Sequence, residues 1–180
     1  MRSDYTYDAY GNQLTSKLSK DNKDGSPSIL SKTEYTENGN HTASTTNARG
    51  KQAHQQVDET SGTLSWVKGP NEQQVNYTYD GSKRLSSVQT AADGKTYRNQ
   101  YTYDKGRLKT VKHNTDGNAA NDVTYTFEYD ALGAQTQVKV GDKVLSTNVY
   151  DTDRSHKLLR SEFANGGTVH NSYDEFDRLT

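Results

Sequence analysis

The sequence predicts an all-β fold of antiparallel β-hairpin repeats, laid side by side as an open, curved, single-layer sheet. Three observations predict it. A Tyr-x-Tyr-Asp signature returns along the chain, followed each time by turn chemistry and the start of a second strand. Hydrophobic residues make up only 29% of the 180 and the mean hydropathy is -1.13. That is far below the roughly 45–50% apolar content of an ordinary domain, so no thick aliphatic core fits. No segment carries a sustained apolar stripe at i, i+3 and i+4, so helices are not expected.

The clearest unit reads Tyr77-Thr78-Tyr79-Asp80-Gly81-Ser82-Lys83-Arg84-Leu85. It returns as Tyr101-Thr102-Tyr103-Asp104-Lys105-Gly106-Arg107-Leu108, and it opens the chain as Tyr5-Thr6-Tyr7-Asp8-Ala9-Tyr10-Gly11. Phe127-Glu128-Tyr129-Asp130-Ala131-Leu132-Gly133 is a further copy. Val149-Tyr150-Asp151 and Tyr173-Asp174-Glu175-Phe176-Asp177-Arg178-Leu179 are looser ones. From Asp80 the aspartates step by 24, 26, 21 and 23 residues to Asp104, Asp130, Asp151 and Asp174, the period of a supersecondary unit. The whole chain, 1–180, reads as one repeat array, clearest over 77–180 and degenerate over about 33–66.

Each unit has a direct physical reading. Tyr-Thr-Tyr is β-prone, with both tyrosines on one face and the threonine on the other. Asp opens a turn because its carboxylate accepts hydrogen bonds from the amides just ahead. Gly two or three residues later takes up positive φ at little cost. Arg-Leu starts the returning strand, and Leu85-Ser86-Ser87-Val88 continues it. Ala92-Asp93-Gly94-Lys95 is a second turn that joins one hairpin to the next. A row of cross-strand tyrosines is expected to hold the sheet, at roughly 0.2–1 kcal/mol per aromatic pair. Two polar stretches, Lys17 to Ser31 and His113 to Asn121, read as extended hairpin tips.

Composition also excludes function classes. Low hydrophobicity accompanies disorder when net charge is high and aromatics are few. Here the net charge is -1 and there are 13 Tyr, so an ordered chain is expected. A balanced charge, with pI about 6.5, argues against a nucleic-acid groove, which needs a basic excess to neutralise phosphates. Cys is absent, so neither a disulfide framework nor a thiolate metal site is expected. No apolar run approaches the ~20 residues of a membrane-spanning helix, and no export signal is recognisable. Both ends fall within repeats, so a longer parent protein is expected. Unpaired first and last strands would invite edge-to-edge self-association.

The signature Tyr-x-Tyr-Asp-x-x-Gly-Arg-Leu, closest at Tyr77–Leu85 and Tyr101–Leu108, resembles the Rhs/YD-repeat family. That family includes bacterial Rhs polymorphic toxins, the C component of insecticidal Tc toxins, Gram-positive wall-associated toxins and animal teneurins. The resemblance covers essentially the whole chain. It implies a β-strand spiral forming a hollow shell and, for the toxins, a shell that encloses a toxic domain. The expected role is therefore a structural segment of such a shell in a large secreted or surface bacterial protein. Its partners would be the remainder of the shell and the enclosed toxin domain. An adhesive module that binds glycans or another protein is the alternative. The self-cleavage motif of the bacterial shells, Asp-Pro-x-Gly, is missing, because neither Pro27 nor Pro70 follows Asp.

No catalytic residue, cofactor or metal is expected. The repeated aspartates could be read as catalytic carboxylates, but one per hairpin turn is what folding alone requires. The residues of the repeat signature are therefore read as structural. They are Tyr5, Tyr7, Asp8 and Gly11, then Tyr77, Tyr79, Asp80, Arg84 and Leu85. Tyr101, Tyr103, Asp104, Gly106, Arg107 and Leu108 follow, and Tyr129, Asp130, Gly133, Tyr150, Asp151, Tyr173, Asp174, Arg178 and Leu179 complete the set. Trp66 is the candidate ligand-stacking residue, weighed against plain packing. His41, His54, His113, His156 and His170 show no metal-ligand spacing and read as solvated. Asp21-Asn22-Lys23-Asp24-Gly25 imitates a calcium loop, but Lys23 stands where an oxygen ligand belongs.

Overall fold

The structure, a computed structural model, describes residues 1–21, 28–114, 116–153 and 155–180. The calcium-like sequence, apart from Asp21, therefore lies outside the described residues. The strands are β1 (Arg2–Tyr7), β2 (Gln13–Ser19), β3 (Ser28–Tyr35), β4 (Thr42–Thr46), β5 (Gln52–Val57), β6 (Leu64–Lys68), β7 (Gln74–Tyr79) and β8 (Leu85–Ala92). They continue as β9 (Lys95–Asp104), β10 (Arg107–Asn114), β11 (Val123–Tyr129), β12 (Gln135–Val140), β13 (Lys143–Tyr150), β14 (Leu158–Phe163) and β15 (Thr168–His170). Strand order is chain order throughout, in one antiparallel sheet, so the expected all-β hairpin architecture is what forms. Among the described residues the one helical element is a 3₁₀ turn at Ala119–Asn121, within the expected second tip; Asn118 caps it by accepting from the Ala120 amide.

The chain divides into two compact units, Met1–Tyr97 and Arg98–Thr180, with the boundary inside β9. Both lack a hydrophobic core. Among the described residues no apolar side chain is buried, and the only buried ones are Ser19 and Ser44. What orders the sheet must therefore be local: turns, ladders and side-chain hydrogen bonds.

Five of the Asp and Asn turns follow one rule. At Asp8, Asn47, Asp80, Asp130 and Asp174 the first residue's amide donates to the carbonyl four residues on, at 2.8–3.0 Å. The residue at the fourth place donates back to the first carbonyl. That fourth residue has positive φ: Gly11 at 87°, Gly50 at 72°, Lys83 at 62°, Gly133 at 95° and Asp177 at 66°. This is the three-residue hairpin loop, a type I turn followed by a left-handed residue. The Asp80 hairpin has no glycine two or three places after the aspartate, and there the left-handed position falls on Lys83.

Seven successive hairpins, from β1–β2 to β13–β14, also carry a β-bulge that the alternating pattern did not reveal. In the β1–β2 ladder Thr6 pairs with Thr15 but Tyr7 pairs with Gln13, leaving Leu14 extra. The same shift leaves Ala43, Ser65, Ser86, Lys109, Thr136 and Leu159 extra in the β3–β4, β5–β6, β7–β8, β9–β10, β11–β12 and β13–β14 pairs. The joining pairs β2–β3, β4–β5, β6–β7, β10–β11 and β14–β15 run in unbroken register. The joining pair β12–β13 is shifted as well, leaving Leu145 extra; each bulge adds local right-handed twist.

The tyrosines do not face one another across the ladder as expected. Tyr77 faces Val88, Tyr79 faces Leu85, Tyr101 faces Val111 and Tyr129 faces Gln135. Because the Tyr-Asp strand is only every second strand, the residue opposite a tyrosine is aliphatic, amide or hydroxyl-bearing, as Ser16 is for Tyr5 and Thr42 for Tyr35. On the opposite face, threonine hydroxyls pair instead: Thr6 with Thr15 at 2.7 Å and Thr102 with Thr110 at 2.6 Å.

Candidate functional site

The bulge creates the first feature that recurs. It disrupts the ladder beside the residue opposite each tyrosine, and a carbonyl left without a partner is costly. A side chain from the next Tyr-Asp hairpin supplies the donor. Tyr35 donates its hydroxyl to the Gln13 carbonyl at 3.3 Å, Tyr79 to Leu64 at 3.0 Å and Tyr129 to Leu108 at 2.9 Å. Tyr150 donates to Gln135 and Tyr173 to Leu158, both at 3.0 Å. Two residues earlier, Asn148 and Asn171 donate to those same two carbonyls at 2.9 and 3.0 Å. In the degenerate region Val57 has replaced the tyrosine, and Gln55 reaches the Thr42 carbonyl at 2.8 Å in its place. The repeat is therefore a chain of side-chain-to-backbone stitches between successive hairpins. Tyr5 and Tyr7, in the first hairpin, are 50% and 57% exposed.

The aspartates close the turns. One Asp80 carboxylate oxygen accepts from the Ser82 and Arg84 amides at 2.9 and 3.0 Å, and the other from the Arg84 Nε at 2.8 Å. Asp174 repeats this with the Phe176 and Arg178 amides and the Arg178 Nε. Asp8 does so with the Tyr10 and Asn12 amides and the Asn12 side chain. The Arg84 guanidinium holds the Asp80 carboxyl below the usual carboxylate range, and the Arg178 amide does the same for Asp174. Asp151 holds a longer loop through the Lys157 amide and the Ser155 hydroxyl.

Asp130 differs. Its first oxygen accepts the Leu132, Gly133 and Ala134 amides at 2.8–3.0 Å. Ala134 stands where other repeats place Arg or Asn, so the second oxygen is taken by His156 of the following hairpin, Nε2 to Oδ2 at 2.8 Å. His156 has φ of 48° and stacks on Tyr150, with ring centroids 4.9 Å apart. Partial burial pushes the Asp130 carboxyl upward, but the Ala134 amide and His156 outweigh it and leave it lowered. His156 is thus a junction residue and not the solvated histidine expected. Its sequence signal was the missing residue four places after Asp130.

Beside this junction lies a cavity of about 250 Å³, lined by Asp104, Lys105, Arg107 and Lys109 from one hairpin and Glu128, Tyr129 and Asp130 from the next. The Asp104 turn has only two residues between its paired ends, Asp104 and Arg107. Lys105 and Gly106 both have positive φ, 48° and 82°, the form of a type I′ turn. Arg107 is therefore one residue too close to fold back onto Asp104 as Arg84 does onto Asp80. Its guanidinium lies 5.9 Å from the Tyr129 ring centroid and against Gly133, where an added Cβ would come within 2.1 Å of Nη2. Gly133 is glycine for two reasons, the left-handed turn and the arginine above it.

Trp66 sits in register with Gln56 and Asn76 and donates its indole N–H to Gln56 at 2.8 Å. It shares the face of Thr78, opposite Tyr77 and Tyr79. Leu179 forms a bridge with Tyr173. Among the described residues no group of His, Asp or Glu is placed to hold a metal, and no helix is long and apolar enough to cross a membrane.

No family profile and no curated protein sequence matches the chain. Solved structures do. A crystal structure of TcdB2–TccC3–TEV superimposes with a TM-score of 0.67 at 16% identity, over 97% of this chain and 11% of that one. TcdB2–TccC3 without its hypervariable C-terminal region gives 0.68 at 16% identity, over the same shares. A Photorhabdus luminescens Tc holotoxin pore with a mutant TccC3 gives 0.65 at 15% identity, over 94% and 10%. At these identities the likeness establishes the fold. The chain spans about a tenth of the length of the structures it matches.

Proposed function

We propose that this chain is a wall segment of a YD-repeat shell, belonging to a large secreted bacterial protein, whose work is to sequester or present a toxin domain. The observation that carries the reading is the stitch. Within each compact unit a hairpin completes the hydrogen bonding of the hairpin before it, so the unit extends by addition and needs no apolar core. A wall with polar faces can stand between solvent and a contained domain without collapsing onto either. The fold likeness to the Tc toxin structures supports the same reading.

The role is non-enzymatic. The oxygens of Asp8, Asp80, Asp130 and Asp174 are engaged by their own turns or junctions, which supports a structural part for these four carboxylates. Asp80→Asn should lower stability and abolish no turnover. The direct test is protease protection in the full-length parent. Protection of the domain that follows the repeats, lost when Tyr79 and Tyr129 are both changed to Phe, is the expected result. Equal digestion in the unaltered parent would overturn the sequestering role and leave the fold untouched.

A second reading, an adhesive surface for glycans, rests on Trp66, whose indole stands among the amides of Gln56 and Asn76 on a polar face. Titration of cell-wall and host glycans against the chain and its Trp66→Ala variant tests it; flat isotherms for both count against it.

A further inference from the structure

We propose that the cavity between the Asp104 and Asp130 hairpins is a binding site for an oxyanion group, a phosphate or sulfate borne by a small molecule. The inference does not rest on the wall reading.

Three cations line that cavity from a single hairpin: Lys105, Arg107 and Lys109. Their presence follows from the short turn. With two residues in the loop, Arg107 does not return to its own aspartate. Lys109 is the extra residue of the bulge that follows, outside the regular pairing of β9 with β10. Among the described residues none of the three is within ion-pair distance of a carboxylate, whereas Arg84 and Arg178 each hold one at 2.7 Å. Two of the three carboxylates lining the same space are already engaged. Glu128 holds Lys139 at 2.7 Å, and Asp130 is satisfied by three turn amides and by His156. Lys139 balances Glu128, while Asp104 and Asp130 keep their charges, so the three cations face two opposing carboxylates and the cavity keeps a small positive excess.

The arginine is also placed in advance. Gly133 leaves room beneath the guanidinium and the Tyr129 ring flanks it, while the Tyr129 hydroxyl is held by the Leu108 carbonyl. A planar guanidinium fixed on its apolar sides presents its N–H edge, and that edge matches two oxygens of a phosphate or sulfate. Two lysine side chains supply further, adaptable charge. Doubly charged tetrahedral anions gain most from several cations lining one cavity, so a carboxylate should bind less well.

The test is amide chemical-shift titration of the whole chain with sodium phosphate, sodium sulfate and sodium acetate at fixed ionic strength. Saturable shifts confined to Lys105–Lys109 and Tyr129–Gly133 are expected for phosphate and sulfate, with acetate about tenfold weaker. Arg107→Lys should weaken phosphate about tenfold, because a point charge replaces a two-pronged donor. Lys105→Asn keeps a residue that tolerates positive φ while removing the charge, and should weaken phosphate several-fold. Dispersed spectra outside the cavity report that either variant has folded. The site is overturned if phosphate shifts do not saturate, if the amides around Lys51 and Lys143 shift as much as those of the cavity, or if both variants bind like the parent. Acetate binding as tightly as phosphate would overturn the assignment to phosphate or sulfate.

Discussion

The hairpins of Asp80 and Asp104 carry almost the same residues, Tyr-Thr-Tyr-Asp and then Arg-Leu, yet they do different things with their arginine. Around Asp80 the loop has three residues, and Arg84 curls back onto the carboxylate through Nε and Nη2. Around Asp104 the loop has two, Arg107 is paired directly with Asp104 in the ladder, and the guanidinium crosses to Tyr129 and Gly133 of the following hairpin. One residue of loop length converts an intra-turn ion pair into a contact between repeats. The signature is conservative; the spacing inside it is what diversifies the surface.

Gly133→Ala strikes this difference hardest. The left-handed backbone at 95° and the displaced Arg107 side chain should together cost about 2 kcal/mol. Gly11→Ala, with nothing near its Cβ, should cost about 1 kcal/mol. In an Arg107→Ala background the two costs should converge, as read by urea unfolding in a double-mutant cycle. A serine inserted between Lys105 and Gly106 should do the same by returning the arginine to Asp104; an unchanged Gly133→Ala cost in that background would break the comparison.

The stitches give the next effects. Tyr129→Phe leaves the Leu108 carbonyl without its hydroxyl donor and should cost about 1 kcal/mol. Tyr150→Phe should cost about half of that, because Asn148 still donates to the same Gln135 carbonyl. Combined with Asn148→Ala it should cost more than the two single changes add up to, since only the pair empties the acceptor. Gln55→Ala, in the degenerate region, should behave like Tyr129→Phe.

The smallest effect concerns acid. The Asp80 carboxyl is held below its usual value of 3.8, first by the Arg84 side chain and then by the Arg84 amide. A carboxyl lowered in the folded state contributes stability that is complete above its unfolded value and lost as pH falls through the folded one. The contribution of Asp80 should therefore persist above about pH 4 and disappear below it. Asp80→Asn should flatten the acid limb of a melting-temperature profile and shift the neutral limb downward by a few degrees. A profile parallel to the parent's below pH 4 would contradict the pairing.

Much of this was legible in the order of residues. The alternation in Tyr77-Thr78-Tyr79, the turn chemistry of Asp80 and the low aliphatic content point together to hairpins in a sheet without a core. Local rules suffice there because each hairpin is closed within a few residues. The bulges were not legible. Leu14, Ser86 and Thr136 look like ordinary strand residues, and the offset appears only when both strands are aligned. Gln55, Asn148 and Asn171 went unnoticed for the same reason, since the carbonyls they serve exist as unmet acceptors only in the paired sheet. His156 was dismissed as solvated because its partner, Asp130, is 26 residues away.

By itself, then, the sequence determined the hairpin unit, its period, the aspartate that opens each turn and the absence of an apolar core. Those depend on backbone propensity, side-chain-to-amide bonds within a few residues, and composition. Only the tertiary structure decided how one hairpin joins the next: tyrosine hydroxyls on bulge carbonyls, His156 on Asp130, and Arg107 over Gly133. These contacts bring together residues about 15–26 places apart, at distances that pairing register alone sets.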